Sequence, residues 1–379
     1  MALTDRQLNR ATLARQMLLR REKVPVAEAV HRLAALQAQA PASPYIALWN
    51  RLEDFQPANL DRALAARKIV RASLMRVAIH AVAAADYPAF HEAMQTTLRG
   101  ARLNDRRFLS AGISKEECDA LLPEVIAFAS EPRPSAEVEA WLDERLGKPP
   151  SRARIWWAMR HYGPFVHAPT DGPWSFGARN AYVAAPEVAL PGDQAASLRV
   201  LVQRYLGGFG PASPQDMKTF TMLYMPLVRA AFDGLGDALV RVDGPGRTKL
   251  YDVPDGVIPD EDSTAPPRLL GMWDQVLLAY ADRSRTIPPD YRRRVLQVNG
   301  DVLPTLLVDG YVAGVWRTVG GGIEATAFHR LSDDDWEGLE TEARSLLPLL
   351  ADRDPHPYGR YSHWWEKLPR GAEVRVLGR

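Results

Sequence analysis

At 379 residues the chain is longer than one small module and has room for two or three compact domains of roughly 100–200 residues each. With 46% hydrophobic and 25% charged residues it is a globular chain, which excludes whole-chain disorder and fibrous repeats. The net charge of +1 hides an asymmetry: residues 1–76 carry 13 Lys/Arg against 6 Asp/Glu, whereas residues 233–262 carry 8 acids and 3 bases, as expected of a chain with one polyanion-binding face.

No stretch approaches the roughly 18 uncharged apolar residues of a membrane helix. Asp5 and Arg6 precede any apolar run, so no secretory signal is expected and the expected location is cytoplasmic. Cys118 is the only cysteine, which rules out an intrachain disulfide and a CxxC metal site; on its apparent helix it reads as a packing residue. The eight histidines contain no HExxH, and neither His161/His167 nor His356/His363 has the i, i+4 spacing of a helical metal pair, so no metal is expected.

In chain order, Thr4 and Gln7 form a capping box for a first helix carrying Leu8, Ala11, Leu18 and Leu19, which stops in the basic segment 20–23. Pro25 suits the first turn of a second helix with Val26, Val30 and Leu33 on one face. A β-rich stretch follows, with a helix at 60–67, and residues 69–82 read as strand. Helices then strands is the order of a winged helix-turn-helix, and it recurs twice. Helices at 115–129, 136–146 and 153–162 lead to strands at 164–167 and 174–177. Helices at 196–206, 214–221 and 225–233 lead to a strand at 238–243. A hairpin turning at Asp309-Gly310 follows, then a third strand at 323–328 and an acidic helix opened by Ser332. The expected fold is α+β, mostly helical, in three units: 1–110, 111–192 and 193–379.

No phosphate loop, GxSxG or dinucleotide fingerprint is present, and Gly207-Gly208-Phe209-Gly210 reads as a helix C-cap turn. The informative segment is Gln37-Ala38-Gln39-Ala40-Pro41, where an amide continues the apolar 26–30–33 stripe. In a helix the two glutamines would point about 160° apart and serve as ordinary caps. Pro41 biases Ala40 away from helix, and in an extended run both amides share one face and can converge on a ligand.

Segments 8–16, 36–41, 71–80, 210–216, 281–288 and 307–317 resemble, in order, the AlkZ/YcaQ family of winged-helix DNA glycosylases. The resemblance implies a C-shaped arrangement of tandem winged helices with a concave basic face for duplex DNA. It implies hydrolysis of the N-glycosidic bond of bulky N7-alkylated purines or interstrand crosslinks, leaving abasic sites, without metal or other cofactor. It also implies self-resistance to DNA-alkylating natural products. The family's Gln-apolar-Gln signature falls on Gln37 and Gln39, the expected catalytic pair; the YcaQ branch has Asp at the second position.

An N7-alkylpurine is cationic, so its glycosidic bond is already weakened. Two amides that orient water and face an oxocarbenium-like transition state then suffice. Pro41 and Pro44 are expected to fix the backbone of this segment. Arg71 and Arg76 are read as phosphate contacts or surface ion pairs. Trp316, Arg317 and His329 are read as wing contacts to DNA, with a core role the alternative for the tryptophan. The expected partner is double-stranded DNA, and the expected state a monomer. A non-catalytic winged-helix regulator or drug-sequestering protein is the alternative, and it has no need of the glutamine pair.

Overall fold

A computed structural model describes residues 2–147, 152–188, 192–369 and 371–379. The first helix, Asp5–Arg15, opens as its sequence requires: the Gln7 backbone N–H donates to the Thr4 hydroxyl and the Thr4 N–H donates to Gln7 Oε1, each at 3.0 Å. It ends at Arg15 rather than continuing to the basic segment, and Met17 at φ +53° turns the chain away. The arginines of this helix pair with distant parts of the chain. Arg15 forms a two-toothed pair with Asp252 (2.6 and 2.7 Å), and Arg10 bonds Asp309 and the Ser263 carbonyl. Part of the N-terminal basic surplus is therefore spent inside the protein.

Residues 43–51, expected to be β-rich, form the helix Ser43–Arg51. Pro44 sits in its first turn, where no backbone donor is needed. Helices Val26–Arg32 and Pro57–Ala65 precede the hairpin Ile69–Ser73/Ile79–Ala83. Helices Lys115–Phe128, Ser135–Leu146 and Arg152–Tyr162 precede strand Phe165–Ala168. The partner of that strand is Ala181–Ala184, not residues 174–177, which are irregular. Helices Gln194–Phe209, Pro214–Thr221 and Met225–Leu235 precede the ribbon Val240–Asp243/Lys249–Asp252.

Gly207 and Gly208 lie within the helix, and Gly210 ends it at φ −68°, so no left-handed cap forms. Gly210 is required for another reason: a Cβ there would stand 2.4 Å from Asp252 Oδ1 and 2.5 Å from the Leu206 carbonyl.

Two larger antiparallel sheets organise the chain. One has six strands in the spatial order 36–37, 79–83, 69–73, 165–168, 181–184 and 133–134. It joins the hairpins of the first two expected units across residue 110. The other contains Glu373–Leu377, Gly322–Ala327, Tyr311–Val319, Thr305–Val308 and Arg268–Leu270, and helix Asp333–Arg353 packs on it. The turn at Asp309-Gly310 and the Ser332 cap form as expected.

Apolar burial is divided between two cores. Leu36, Ala38 and Ala40 belong to the core containing the five-stranded sheet, and Ala34 and Ala35 to the core around helices Tyr87–Leu103 and Gln194–Phe209. The glutamine segment thus crosses the seam between the two cores. Among the described residues no helix is long and apolar enough to cross a membrane.

Candidate active site

Leu36 and Gln37 form a short edge strand paired with Ala81 and His80, and the Ala38 N–H extends the ladder to the Ile79 carbonyl at 2.8 Å. The extension expected from Pro41 is met through Ala38 but not through Gln39 and Ala40, where the chain bends just past the strand. Leu36 and Ala38 are buried in the core. Gln37 is buried at 7% exposure, whereas Gln39 is exposed, and among the described residues its side chain has one hydrogen bond, from the Ile79 N–H to Oε1 at 3.5 Å.

Arg76 occupies the hairpin turn at φ +55° and sends its guanidinium inward under Gln37. It donates to Gln37 Oε1 at 2.7 Å, Gln275 Oε1 at 3.0 Å and the Phe220 carbonyl at 2.8 Å, and lies over the Phe220 ring. Burial pushes it down to about 9, with the nearby Arg283 adding to the shift, so it stays charged at neutral pH. His80, beside it, is pushed by burial to about 3 and is neutral. The His80 Nδ1–H donates to the Ala78 carbonyl, which turns the lone pair of Nε2 toward Arg76 at 3.4 Å.

Arg71 is also internal. Its Nε and Nη2 donate to the Ala38 carbonyl at 3.2 and 3.1 Å, and Nη1 reaches His167 Nδ1 at 3.1 Å. Burial lowers Arg71 to about 10 and drives His167 well below its usual range, so the histidine is a neutral acceptor. The phosphate role expected of both arginines does not fit this placement, because their guanidiniums are committed to protein acceptors beneath the glutamine segment. Among the described residues neither has a carboxylate in its hydrogen bonds or salt bridges.

Pro44 lies in the first turn of the helix that follows the segment, and Pro41 stands just before it. The Ser43 N–H donates to the Ala40 carbonyl at 3.0 Å, and its hydroxyl meets Tyr358 Oη at 3.1 Å, which anchors the downstream side. Trp316 is fully buried and donates Nε1–H to the Leu270 carbonyl at 2.9 Å, so it is a core residue and not a wing contact. Arg317 is half-buried in a two-toothed pair with Glu324. His329 is exposed and stacks on Tyr291 at 5.8 Å.

Three residues escaped the sequence reading. Gln275 and Phe220 hold Arg76, and His167 holds Arg71. The available signal for Gln275 was a polar pair, Asp274-Gln275, embedded in an apolar run. A basic rim adjoins the hairpin turn: Arg102 reaches toward the Val77 carbonyl at 3.5 Å, and Arg102 and Arg107 both lie over the Trp157 ring. Cys118 is buried against Tyr162 Oη, and burial pushes its thiol up to about 11, which fits a packing role. Among the described residues no group of three or more His, Cys, Asp or Glu is placed to hold a metal ion.

Chemically, the segment presents one amide whose oxygen is fixed from behind and a second that is free to contact water or ligand. Comparison with known proteins gives this arrangement its context. The family described as DNA glycosylase AlkZ-like matches residues 30–349. An interstrand DNA cross-link repair glycosylase of Streptomyces sahachiroi is 26% identical over 363 residues, covering 89% of this chain and 94% of that protein. The solved structure of the Streptomyces sahachiroi DNA glycosylase AlkZ superposes with a TM-score of 0.77 at 20% identity, over 93% of this chain and 97% of that one. The family match takes in the glutamine segment, both supporting arginines and Gln275, and the chain belongs to the AlkZ-like family of DNA glycosylases.

Proposed function

We propose that this glycosylase hydrolyses the N-glycosidic bond of bulky N7-alkylated purines in duplex DNA, interstrand crosslinks included, and leaves abasic sites. The observation that carries the reading is the Gln37-Ala38-Gln39 segment at the edge of the six-stranded sheet, with Arg76 holding the Gln37 amide and Arg71 holding the Ala38 carbonyl. The relative's description as a cross-link repair enzyme supports the lesion class. In the reaction the C1′–N9 bond breaks and its electron pair neutralises the cationic purine. Water oriented by the amides adds to C1′ and loses its proton to solvent. The uncompensated charges of Arg71 and Arg76 create a positive field beneath the site that favours phosphates without direct contact.

The three helix-and-hairpin cassettes support tandem winged helices, and we infer that they curve into a C shape around the duplex. The proposed working state is a cytoplasmic monomer, and the proposed role is self-resistance to DNA-alkylating natural products. Purified protein incubated with duplex carrying a single N7-alkylguanine tests the activity. Release of the base with an alkali-labile abasic site is the expected result. In Gln37→Ala and Gln39→Ala, single-turnover excision should slow by about 2.7–4 kcal/mol, by analogy with a lost oxyanion-hole contact, while DNA affinity holds. Near-wild-type rates in both variants would overturn the reading.

A further inference from the structure

The two glutamines are not equivalent, and Arg76 is the reason. A guanidinium has only donors, so the atom of the Gln37 amide lying 2.7 Å from Arg76 Nη2 must be the oxygen. The amide orientation is thereby fixed by chemistry. The same logic turns Gln275 Oε1 toward Arg76, and it leaves Gln275 Nε2 buried without a hydrogen-bond partner. Arg76 is itself held by the Phe220 carbonyl and by its ring, so the anchor cannot swing freely with the glutamine. Gln37 Nε2 has no protein partner among the described residues and faces away from the guanidinium. Gln39 has no such anchor and stands exposed at the same edge.

We propose that Arg76 is a positioning residue that locks the Gln37 amide with its oxygen inward, so that Gln37 meets DNA as an N–H donor while Gln39 supplies the oxygen that orients water. The assignment rests on the glutamine pair being catalytic, and it divides a symmetric-looking motif into two roles. A DNA backbone offers only acceptor oxygens around the lesion sugar, and an outward N–H complements them where an outward carbonyl would repel them. The bond from a charged donor to the Gln37 oxygen also polarises that N–H and strengthens it as a donor.

The test uses the full chain, 7-alkylguanine duplex and single-turnover excision beside a DNA-binding titration. Gln37→Glu keeps an oxygen for Arg76, gains charge attraction to it, and cannot donate outward; it should lose at least a hundredfold in rate, as Gln37→Ala does. Arg76→Met should slow excision about tenfold to a hundredfold with DNA affinity unchanged, and Arg76→Lys should recover part of that loss. In the Gln37→Ala background Arg76→Met should slow the reaction no further, because its effect runs through the amide that is gone. A purely structural arginine would instead add its full loss in that background.

A fast Gln37→Glu enzyme, or full additivity of the two substitutions, would overturn the positioning role while leaving glycosylase activity in place. If Arg76→Met fails to fold, Gln37→Glu and Arg76→Lys still decide. Wild-type rates in both alanine variants of the glutamines would instead indicate that the catalytic reading beneath the proposal is wrong.

Discussion

Arg71 and Ala38 are joined by two hydrogen bonds to a single oxygen: Nε at 3.2 Å and Nη2 at 3.1 Å both donate to the Ala38 carbonyl. Ala38 is the residue between the two glutamines, so a buried cation grips the backbone of the site at its midpoint. His167, neutral through burial, takes the remaining arm of the guanidinium. The pair belongs to the six-stranded sheet, since Arg71 lies opposite both Ala81 and His167. The glutamine segment is therefore an edge strand gripped from the interior of its own sheet.

Replacing Arg71 with Ala should accordingly damage excision more than binding. The Ala38 carbonyl would lose its side-chain donors, at a cost of about 1–3 kcal/mol for an unsatisfied buried group. The slope of log K against log salt should stay at its wild-type value, because each phosphate contact contributes about 0.9 to it and the Arg71 guanidinium is committed to protein acceptors. A flattened slope in this variant would show that the guanidinium reaches phosphate in the complex.

A second buried pair locks the elements on either side of the site. Arg51, from the helix that follows the glutamine segment, forms a two-toothed bond with Asp274 at 2.7 and 2.8 Å, the side chains 0% and 1% exposed. Asp274 directly precedes Gln275, so the pair places the second acceptor of Arg76. Asp274→Ala should destabilise the protein by about 3–5 kcal/mol, because it strands a fully buried guanidinium. Urea denaturation of the two proteins measures this, and a loss below 1 kcal/mol would mean that Arg51 finds another partner or solvent.

What was legible in the sequence was what local chemistry decides. The Thr4/Gln7 box and the Asp309-Gly310 turn each depend on neighbours within a few residues and both form, whereas the extension before Pro41 reaches only Ala38. What was not legible depends on distant partners. Arg15 pairs with Asp252, 237 residues on, and Arg76 reaches Gln275, 199 residues away. Arginines counted as a basic surface became internal donors for the same reason. Trp316 was ambiguous because a strand next to a glycine turn reads alike in a wing and in a core, and only the Leu270 carbonyl decides it.

Acid should destabilise the fold earlier than carboxylates alone would require. His80 and His161 are pushed to about 3 and His91 to about 4, mainly by burial, from an ordinary value near 6.5. A group whose folded-state pKa is depressed contributes its full stability above the unfolded value and loses it as pH falls toward the folded one. The loss should therefore begin near pH 6.5 and continue to about pH 3. Asp61 and Asp309, also lowered in the folded state, add their loss only as pH falls below about 4. Urea midpoints at pH 7, 5.5 and 4.5 should decline at each step. A constant midpoint down to pH 4.5 would show that these imidazoles are not held neutral in the folded protein.

Substrate choice follows from the chemistry of the amide pair. Neither Gln37 nor Gln39 can deliver a proton to a departing base, and the neighbouring His80 is neutral, buried and turned toward Arg76. Cleavage of a neutral base ordinarily calls for a general acid or base with a suitable pKa. A cationic N7-alkylpurine supplies its own leaving-group activation, so water placement and shelter of the oxocarbenium are sufficient. Release of N7-alkylguanine is the expected outcome, bulky adducts included, with uracil and 8-oxoguanine left in the same duplex context. Gln39→Asp extends the test: a carboxylate at that position still accepts from water and should excise cationic lesions well above the Gln39→Ala rate. Efficient uracil release by the wild type would contradict the mechanism, because two amides offer that reaction no proton donor.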